Sequence, residues 1–458
     1  MHISNRVRKY AAENFGEVRH TTLNPEGPGV VRIHLIPPKY EGKKGEQPGK
    51  SIAIINGQDI IPVNFAWSIL LCEFIGEVNK YWGRPIRDEE TDKIIAATVR
   101  SVRRVFPYVG KKRIASDIWR MMNAFRAVAY RQPVEEEIGY MSLGEYAPFM
   151  RAPHRMDLMI SAMTKDGCWH CNQKCVHCYA AGQKQADEKE LSAADWMHII
   201  DRCRVAGIPQ LTFTGGEPTM RADLVELIEH AKWFVTRLNT NGINLTRELC
   251  DRLLAASLDS IQITFYSSDA AAHNALVGAE RWNDTVNGIK NALAAGLSVS
   301  VNTPLCTVNR DYRATLAFLH TIGVTYVTCS GLITTGNAAG EKSESMQLSA
   351  EALREILSDA ADYCAENGME ISFTSPGWIE DEFFDQHNLI KPSCGACLSN
   401  MAVTPGGNVV PCQSWLSGEV LGNMLSDEWE TIWNSSRCIE RREWSALMLG
   451  QCPLRRSK

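Results

Sequence analysis

The sequence predicts an α/β protein built on a partial (β/α)6 TIM-like barrel, with an N-terminal α+β module before it and a small cysteine-rich module after it. Three observations lead there. Strand-like and helical patterns alternate through residues 151–379, a period that implies parallel strands joined by right-handed crossovers. Before residue 150, strands are grouped ahead of helices. Beyond residue 380 the alternation stops and cysteines spread through the tail.

The chain of 458 residues is too long for one ordinary core, so domains at 1–150, 151–379 and 380–458 are expected. Its 45% hydrophobic and 22% charged residues are those of a soluble globular protein. A net charge of -5 gives no argument for nucleic acid or membrane as a partner, and neither is expected. The start, MHISNRVRKY, has no apolar run after its charges, so no secretory signal is read and a cytoplasmic location is expected. In that reducing compartment the 15 cysteines are expected as thiols or metal ligands rather than disulfides.

In the first module, residues 30–36 and 51–55 read as strands. The apolar stretch 60–76 reads as a buried helix, and helical patterns cover 64–81, 88–106 and 114–131. The second of these helices opens on Asp88, Glu89, Glu90 and Asp92 and closes near Arg100, Arg103 and Arg104, an order that suits the helix dipole. A winged-helix-like arrangement is expected. In the barrel, strands are expected at 157–163, 210–214, 234–239, 259–266, 297–302 and 324–329. Helices are expected at 191–205, 222–232, 247–256, 284–295, 312–321 and 349–366. Such folds carry their chemistry on loops at the C-terminal ends of the strands.

The loop after the first of these strands reads Cys168-Trp-His-Cys171-Asn-Gln-Lys-Cys175-Val-His-Cys178-Tyr179. Two zinc knuckles, Cys168/Cys171 and Cys175/Cys178, would have only three residues between them, where knuckles normally stand a dozen or more apart. The other spacing, Cys171-x3-Cys175-x2-Cys178, puts three thiolates on one short loop. A cubane iron–sulfur cluster normally takes four cysteines, so three leave one iron open. The second strand ends in Thr212-Phe-Thr-Gly215-Gly216-Glu217-Pro218, the third in Asn239-Thr-Asn241-Gly242. Glycines there allow a tight turn or close backbone approach, and a carboxylate suits an ammonium.

Loop, order and motifs together resemble the radical S-adenosylmethionine (AdoMet) superfamily. The resemblance implies a [4Fe–4S] cluster on Cys171, Cys175 and Cys178, with Cys168 a bystander. It implies AdoMet chelating the open iron and lying against Gly215, Gly216, Glu217, Pro218 and Tyr179. Residues 261–267, with His273 and Gly278, resemble the family's fourth-strand region, which nominates Thr264 for the ribose. Asn302 is nominated for the carboxylate or adenosine. No catalytic residue is assigned; Cys329, ending the sixth strand, is the one candidate for a hydrogen donor facing the barrel interior.

The tail carries Cys394-Gly-Ala-Cys397, Gly407-x4-Cys412, Cys438 and Cys452. Zinc and iron–sulfur both remain open from these spacings alone. The run, with Leu421-Gly-Asn423 and Ile432-Trp433, resembles a SPASM domain that stops early, in the manner of the shorter twitch domain. That implies a second, auxiliary [4Fe–4S] cluster on Cys394, Cys397, Cys412 and Cys452, with Cys438 in reserve.

The two resemblances imply an oxidoreductase that cleaves AdoMet reductively and oxidatively modifies a peptide or protein, as in maturation of ribosomal natural-product precursors. The expected partners are a precursor peptide, which the module at 1–150 would recognise, and an external electron donor such as flavodoxin or ferredoxin. A dehydrogenase of small molecules, or a non-catalytic iron–sulfur scaffold, are the alternatives.

Overall fold

The computed structural model describes residues 4–23, 30–43, 46, 49–82, 84–130, 132–133, 139–340, 345–418, 420–447 and 452–454. The chain divides into two compact units, Met1–Arg151 and Ala152–Lys458.

The first unit opens with α1 (Asn5–Asn14), capped by the Ser4 side chain. Four strands, β1 (Arg19–Leu23), β2 (Val31–Ile36), β3 (Ser51–Ile55) and β4 (Asp59–Val63), form an antiparallel meander. Helices α2 (Phe65–Val78), α3 (Asp88–Val105) and α4 (Lys111–Ala129) follow, and a short α5 (Leu143–Tyr146) closes the unit. Ile33, Leu35, Ala53 and Ile55 of the sheet share one core with Ile69, Leu71, Ile75, Val102, Ile118 and Met121 of the helices.

The apolar stretch at 60–76 is therefore not one helix. Pro62 lies in β4, which is an edge strand and tolerates a residue without an N–H. Asn64 then starts α2 by accepting a hydrogen bond from the Trp67 amide at 2.9 Å. The sheet has four strands where two are read from the sequence. Among the described residues no helix is long and apolar enough to cross a membrane.

The second unit is organised by one ten-stranded sheet. Its parallel strands are β5 (Arg155–Ser161), β8 (Gln210–Gly215), β9 (Val235–Thr240), β10 (Ser260–Thr264), β11 (Ser298–Pro304), β12 (Tyr326–Ser330) and β13 (Glu370–Phe373). A small hairpin, β6 (Thr164–Lys165) and β7 (Cys168–Trp169), stands between β5 and β8 in the chain. The intervening helices are α6 (Ala193–Ala206), α7 (Leu224–His230), α8 (Arg247–Ala255), α9 (Ala270–Val277), α10 (Trp282–Ala295), α11 (Tyr312–Thr321) and Ala350–Glu366. The six expected barrel strands are all present, and β13 adds a seventh.

The tail hairpin is formed by β14 (Asn400–Val403) and β15 (Asn408–Val410), followed by β16 (Gly422–Asn423). β14 pairs parallel with β5, so the tail extends the barrel sheet at its first strand. Glu188 fixes that join from the barrel side. Its carboxylate accepts from the Thr404 hydroxyl, the Gly406 amide at 3.1 Å and Asn408 Nδ2 at 2.8 Å.

Candidate active site

The loop from His170 to Tyr179 leaves β7 and is held by neighbours on both sides. The Lys174 and Val176 amides donate to the Val277 and Leu276 carbonyls at the end of α9, each at 3.0 Å. Gly278, in the left-handed region at φ 65°, comes so close that a Cβ there would lie 2.5 Å from the Lys174 oxygen. From the other side, the Asn337 amide donates to the Cys178 carbonyl at 2.9 Å and its Nδ2 to the Cys175 carbonyl at 3.2 Å. Gly278 and His273 thus serve the cysteine loop. The His273 ring accepts from the Tyr266 amide at 3.3 Å, and the Tyr266 hydroxyl hydrogen-bonds to Cys175.

Cys171, Cys175 and Cys178 line a cavity of about 610 Å³ at the C-terminal ends of the barrel strands and into its interior. Cys168 is exposed on β7 and is not among the lining residues. Burial pushes the Cys171 thiol up to about 12, and burial also raises Cys175 and Cys178. Metal-free thiols there keep their protons at neutral pH; a bound cation has to displace them.

The strand-end glycines are consumed by the protein itself. Gly215 has φ 132°, and a Cβ on it would lie 2.2 Å from the Ser161 carbonyl oxygen; on Gly216 it would lie 2.8 Å from the Ala162 oxygen. They let the ends of β5 and β8 touch, which brings the Gly216 carbonyl within 3.3 Å of Cys171 Sγ. Glu217 is 1% exposed, and burial raises its pKa. Its Oε1 accepts from the Thr219 amide at 3.0 Å and from the Thr219 and Thr240 hydroxyls at 2.6 Å each; Oε2 accepts from the Asn241 amide at 2.8 Å. A carboxylate offers about four lone-pair sites, so Oε2 keeps one direction for a ligand amine. Asn241 also donates to Asn172 Oδ1 at 2.6 Å, which ties the third strand to the cysteine loop. Thr240, Asn241, Asn172 and Tyr266 are positioning residues that motif reading alone undervalues; the Asn239-Thr-Asn241-Gly242 sequence signalled the first two, and the 261–267 segment Tyr266.

Thr264 and Asn302 are register partners on β10 and β11, and both line the cavity. Asn302 Oδ1 accepts from the Thr328 hydroxyl at 2.9 Å, which accepts from Gln262 Nε2 at 3.1 Å. Tyr179 lines it too, with Cys178, Asp157 and Cys412 close enough to raise its phenol further after burial. Two nominated residues are elsewhere. Pro218 is buried at the start of the turn Pro218–Met220 and does not line the cavity. Cys329 does not face the barrel interior: Thr328 and Ser330 line the cavity, and strand alternation turns Cys329 outward to Tyr312 of α11 and Cys364.

In the tail, Cys412 is the hub. Cys394, Cys397 and Cys452 all act on it or it on them electrostatically, and burial pushes its thiol up to about 12. Cys394 receives a contact from the Ser445 hydroxyl at 3.7 Å. Cys438, fully buried on the helix Ser436–Leu447, hydrogen-bonds to Cys397 and lies 3.7 Å from Arg442 Nη1. Hydrogen bonding to Cys438 holds the Cys397 thiol far up, and the same bond lowers Cys438. Among the described residues no group of three His, Cys, Asp or Glu is placed to hold a single metal ion.

Residues 170–319 match the Radical SAM superfamily, and residues 394–453 match SPASM, an iron-sulfur cluster-binding domain. The chain thus carries a region that matches a radical SAM domain and, after it, one that matches a SPASM domain. A radical SAM domain implies a [4Fe–4S] cluster and AdoMet, and a SPASM domain implies further iron–sulfur. The residues fit these groups: three all-sulfur donors stand on a cavity wall, and a cubane's fourth corner is left for a small ligand. The chain is similar to PqqA peptide cyclase of Streptomyces rochei, 27% identical over 290 residues, 62% of this chain and 78% of that protein. The fold is also that of SuiB from Streptococcus suis. Bound to S-adenosylmethionine, SuiB superposes with a TM-score of 0.58 at 14% identity, covering 88% of this chain and 90% of SuiB. Bound to its precursor peptide SuiA it gives 0.56 at 13% identity, covering 86% and 87%.

Proposed function

We propose that the chain is a peptide-modifying maturase that oxidises a ribosomally made precursor, forming a cross-link, thioether or related bond. The observation that carries this reading is the arrangement of Cys171, Cys175 and Cys178 on the wall of the barrel cavity, which Gln413 and Ser414 of the tail also line. Similarity to a peptide cyclase over most of that enzyme's length supports the substrate class. A cluster and AdoMet bound in the cavity would supply one-electron reductive cleavage of the sulfonium and, through it, hydrogen-atom abstraction from substrate.

The chain's own residues do the rest. Cys171, Cys175 and Cys178 hold the cluster, and the Tyr266 hydroxyl steadies Cys175 from behind. Glu217, braced by Thr219, Thr240 and Asn241, presents its remaining lone pair to the AdoMet amine, and Gly216 its carbonyl. Thr264, Asn302 and Tyr179 line the space for the remainder of the cofactor. Cys394, Cys397, Cys412 and Cys452 would hold one auxiliary [4Fe–4S] cluster, because Cys412 neighbours the other three, whereas Cys438 is engaged by Cys397 and by Arg442. An external one-electron donor of the flavodoxin or ferredoxin type reduces the clusters. The unit Met1–Arg151 recognises the precursor by strand addition. Its sheet has β1 and β4 as edge strands; the Ile60 carbonyl of β4 accepts from the Met141 amide at 3.0 Å, and the His20 carbonyl of β1 from Asn79 Nδ2 at 2.8 Å.

Co-expression with a short peptide, where one is encoded beside the gene, tests the reading. The expected result is a peptide lighter by a pair of hydrogens per bond formed, and no change with a Cys171/Cys175/Cys178 triple Ala variant. An unmodified peptide beside an enzyme that still produces 5′-deoxyadenosine would overturn the substrate class.

A further inference from the structure

The lower part of the barrel cavity carries charge that neither cluster nor AdoMet accounts for. Arg155, at the start of β5, and Arg237, in the middle of β9, both line it. One carboxylate faces them. Asp157, 1% exposed, lies 2.8 Å from Arg155 Nε and 3.3 Å from its Nη2, so it is committed to Arg155. Arg237 gives one hydrogen bond, from Nη2 to the Ser300 hydroxyl at 3.3 Å, while its buried Nε has no partner. Among the described residues no carboxylate lies within ion-pair distance of Arg237.

The surroundings of Arg237 are also unfilled. Thr212, its register partner on β8, and Asn239, two residues along the same face of β9, each have a buried side-chain oxygen without a hydrogen-bond partner. Both line the cavity beside it. Burial, and after it repulsion from Arg155, pushes the guanidinium down to about 10, with Tyr326 and Asp157 acting weakly the other way. It stays charged at neutral pH. Two guanidiniums against one carboxylate make an incomplete arrangement, because charges withdrawn from water are stable when paired and hydrogen-bonded.

We propose that this floor is a carboxylate-binding site with Arg237 as its anchor and the Thr212 hydroxyl as a second donor, so that the part of the substrate entering the barrel carries a carboxylate. The inference rests on the reading of this cavity as the substrate chamber of a peptide-modifying enzyme and narrows it to substrates that are acidic at the reacting segment. A side-chain carboxylate and a chain-terminal carboxylate have the same chemistry here. Asp157 holds Arg155 away from the ligand and leaves Arg237 free to meet it.

The test is calorimetric binding to the reconstituted holoenzyme with AdoMet, using small probes that need no turnover. The probes are N-acetyl-glutamate N-methylamide, its glutamine counterpart, and N-acetyl-alanine, which carries a terminal carboxylate only. The glutamate probe is expected to bind about tenfold or more tightly than the glutamine probe. N-acetyl-alanine binding more tightly than the glutamate probe would assign the site to a chain terminus; binding as weakly as the glutamine probe would assign it to a side chain. R237Q should abolish the preference and R237K should keep part of it, while K391Q, which removes another cation of the cavity rim, should keep all of it. Equal binding of the glutamate and glutamine probes to wild type overturns the proposal even if R237Q fails to fold, as does loss of the preference in K391Q alone. If the probes bind equally while a co-expressed peptide is still modified, the carboxylate site falls and the maturase reading stands.

Discussion

The two cysteine-bearing regions reach the same chemistry by opposite routes. In the loop, three thiols lie within eight residues, and the work of the fold is to hold a short piece of backbone still: α9 on one side, Asn337 on the other. In the tail, Cys394 and Cys397 lie together in sequence, but Cys412 sits beyond a hairpin and Cys452 beyond the helix Ser436–Leu447, so tertiary packing has to gather them. The loop's site is set by local spacing and opens onto a cavity. The tail's site is set by folding and is mostly closed, with Cys394, Cys397 and Cys438 buried. A local site should lose its metal without losing the fold; a gathered site should lose both together.

The largest effect expected is on the loop. Replacing Cys171, Cys175 and Cys178 by Ala should take anaerobically reconstituted protein from about eight irons to about four and abolish 5′-deoxyadenosine formation, with the melting temperature hardly changed. Iron and sulfide quantification with calorimetry reads all three. Next comes Cys412→Ala at the hub of the tail. It should also remove about four irons, yet leave AdoMet cleavage by dithionite-reduced protein intact and lower the melting temperature measurably. A C412A protein as stable as wild type would break the contrast between local and gathered sites.

Glu188→Ala probes the join between the two regions. It removes a carboxylate that accepts from Thr404, Gly406 and Asn408, and should cost about 2–3 kcal/mol in denaturant unfolding while lowering iron retained by the tail more than by the loop. Of the two candidates for the fourth ligand, Cys452→Ala should lose the auxiliary iron and Cys438→Ala should keep it, at a stability cost of about 1 kcal/mol. The reverse iron result would give the fourth corner to Cys438.

The smallest effect is on pH. His273, wholly buried beneath the loop, has its pKa lowered by burial to about 4. As pH falls from its ordinary value of 6.5, the unfolded chain takes the proton first, so the stability contributed above that value is lost on the way down. At pH 5 the loss should be about 2 kcal/mol in wild type and absent in His273→Asn, read as the difference between their melting-temperature profiles.

The barrel was legible because strands and helices alternate over its length, and each of the six expected strands lies within a few residues of its place. What was missed is physically similar throughout. β1 (RHTTL) is too polar to stand out, β4 carries Pro62, and β13 (EISF) is only four residues long. The direction of Cys329 was carried by the alternation of β12, where polar Tyr326, Thr328 and Ser330 line the cavity and Val327 and Cys329 take the other face. The glycines at 215 and 216 were recognised, but their reason was not: they answer to Ser161 and Ala162, residues more than fifty positions away. The loop cysteines could be paired from spacing alone, whereas the ranking of Cys438 against Cys452 depends on which segments pack against Cys412.

The account turns on the loop thiols alone holding a cubane that binds AdoMet. The most direct measurement uses a variant with Cys394, Cys397, Cys412 and Cys452 all replaced by Ala, reconstituted anaerobically and reduced, with electron paramagnetic resonance before and after adding AdoMet. The account predicts a single reduced [4Fe–4S] signal that changes on addition and is followed by release of 5′-deoxyadenosine. A spectrum unmoved by AdoMet, or a loop that takes up zinc in place of iron, would contradict it.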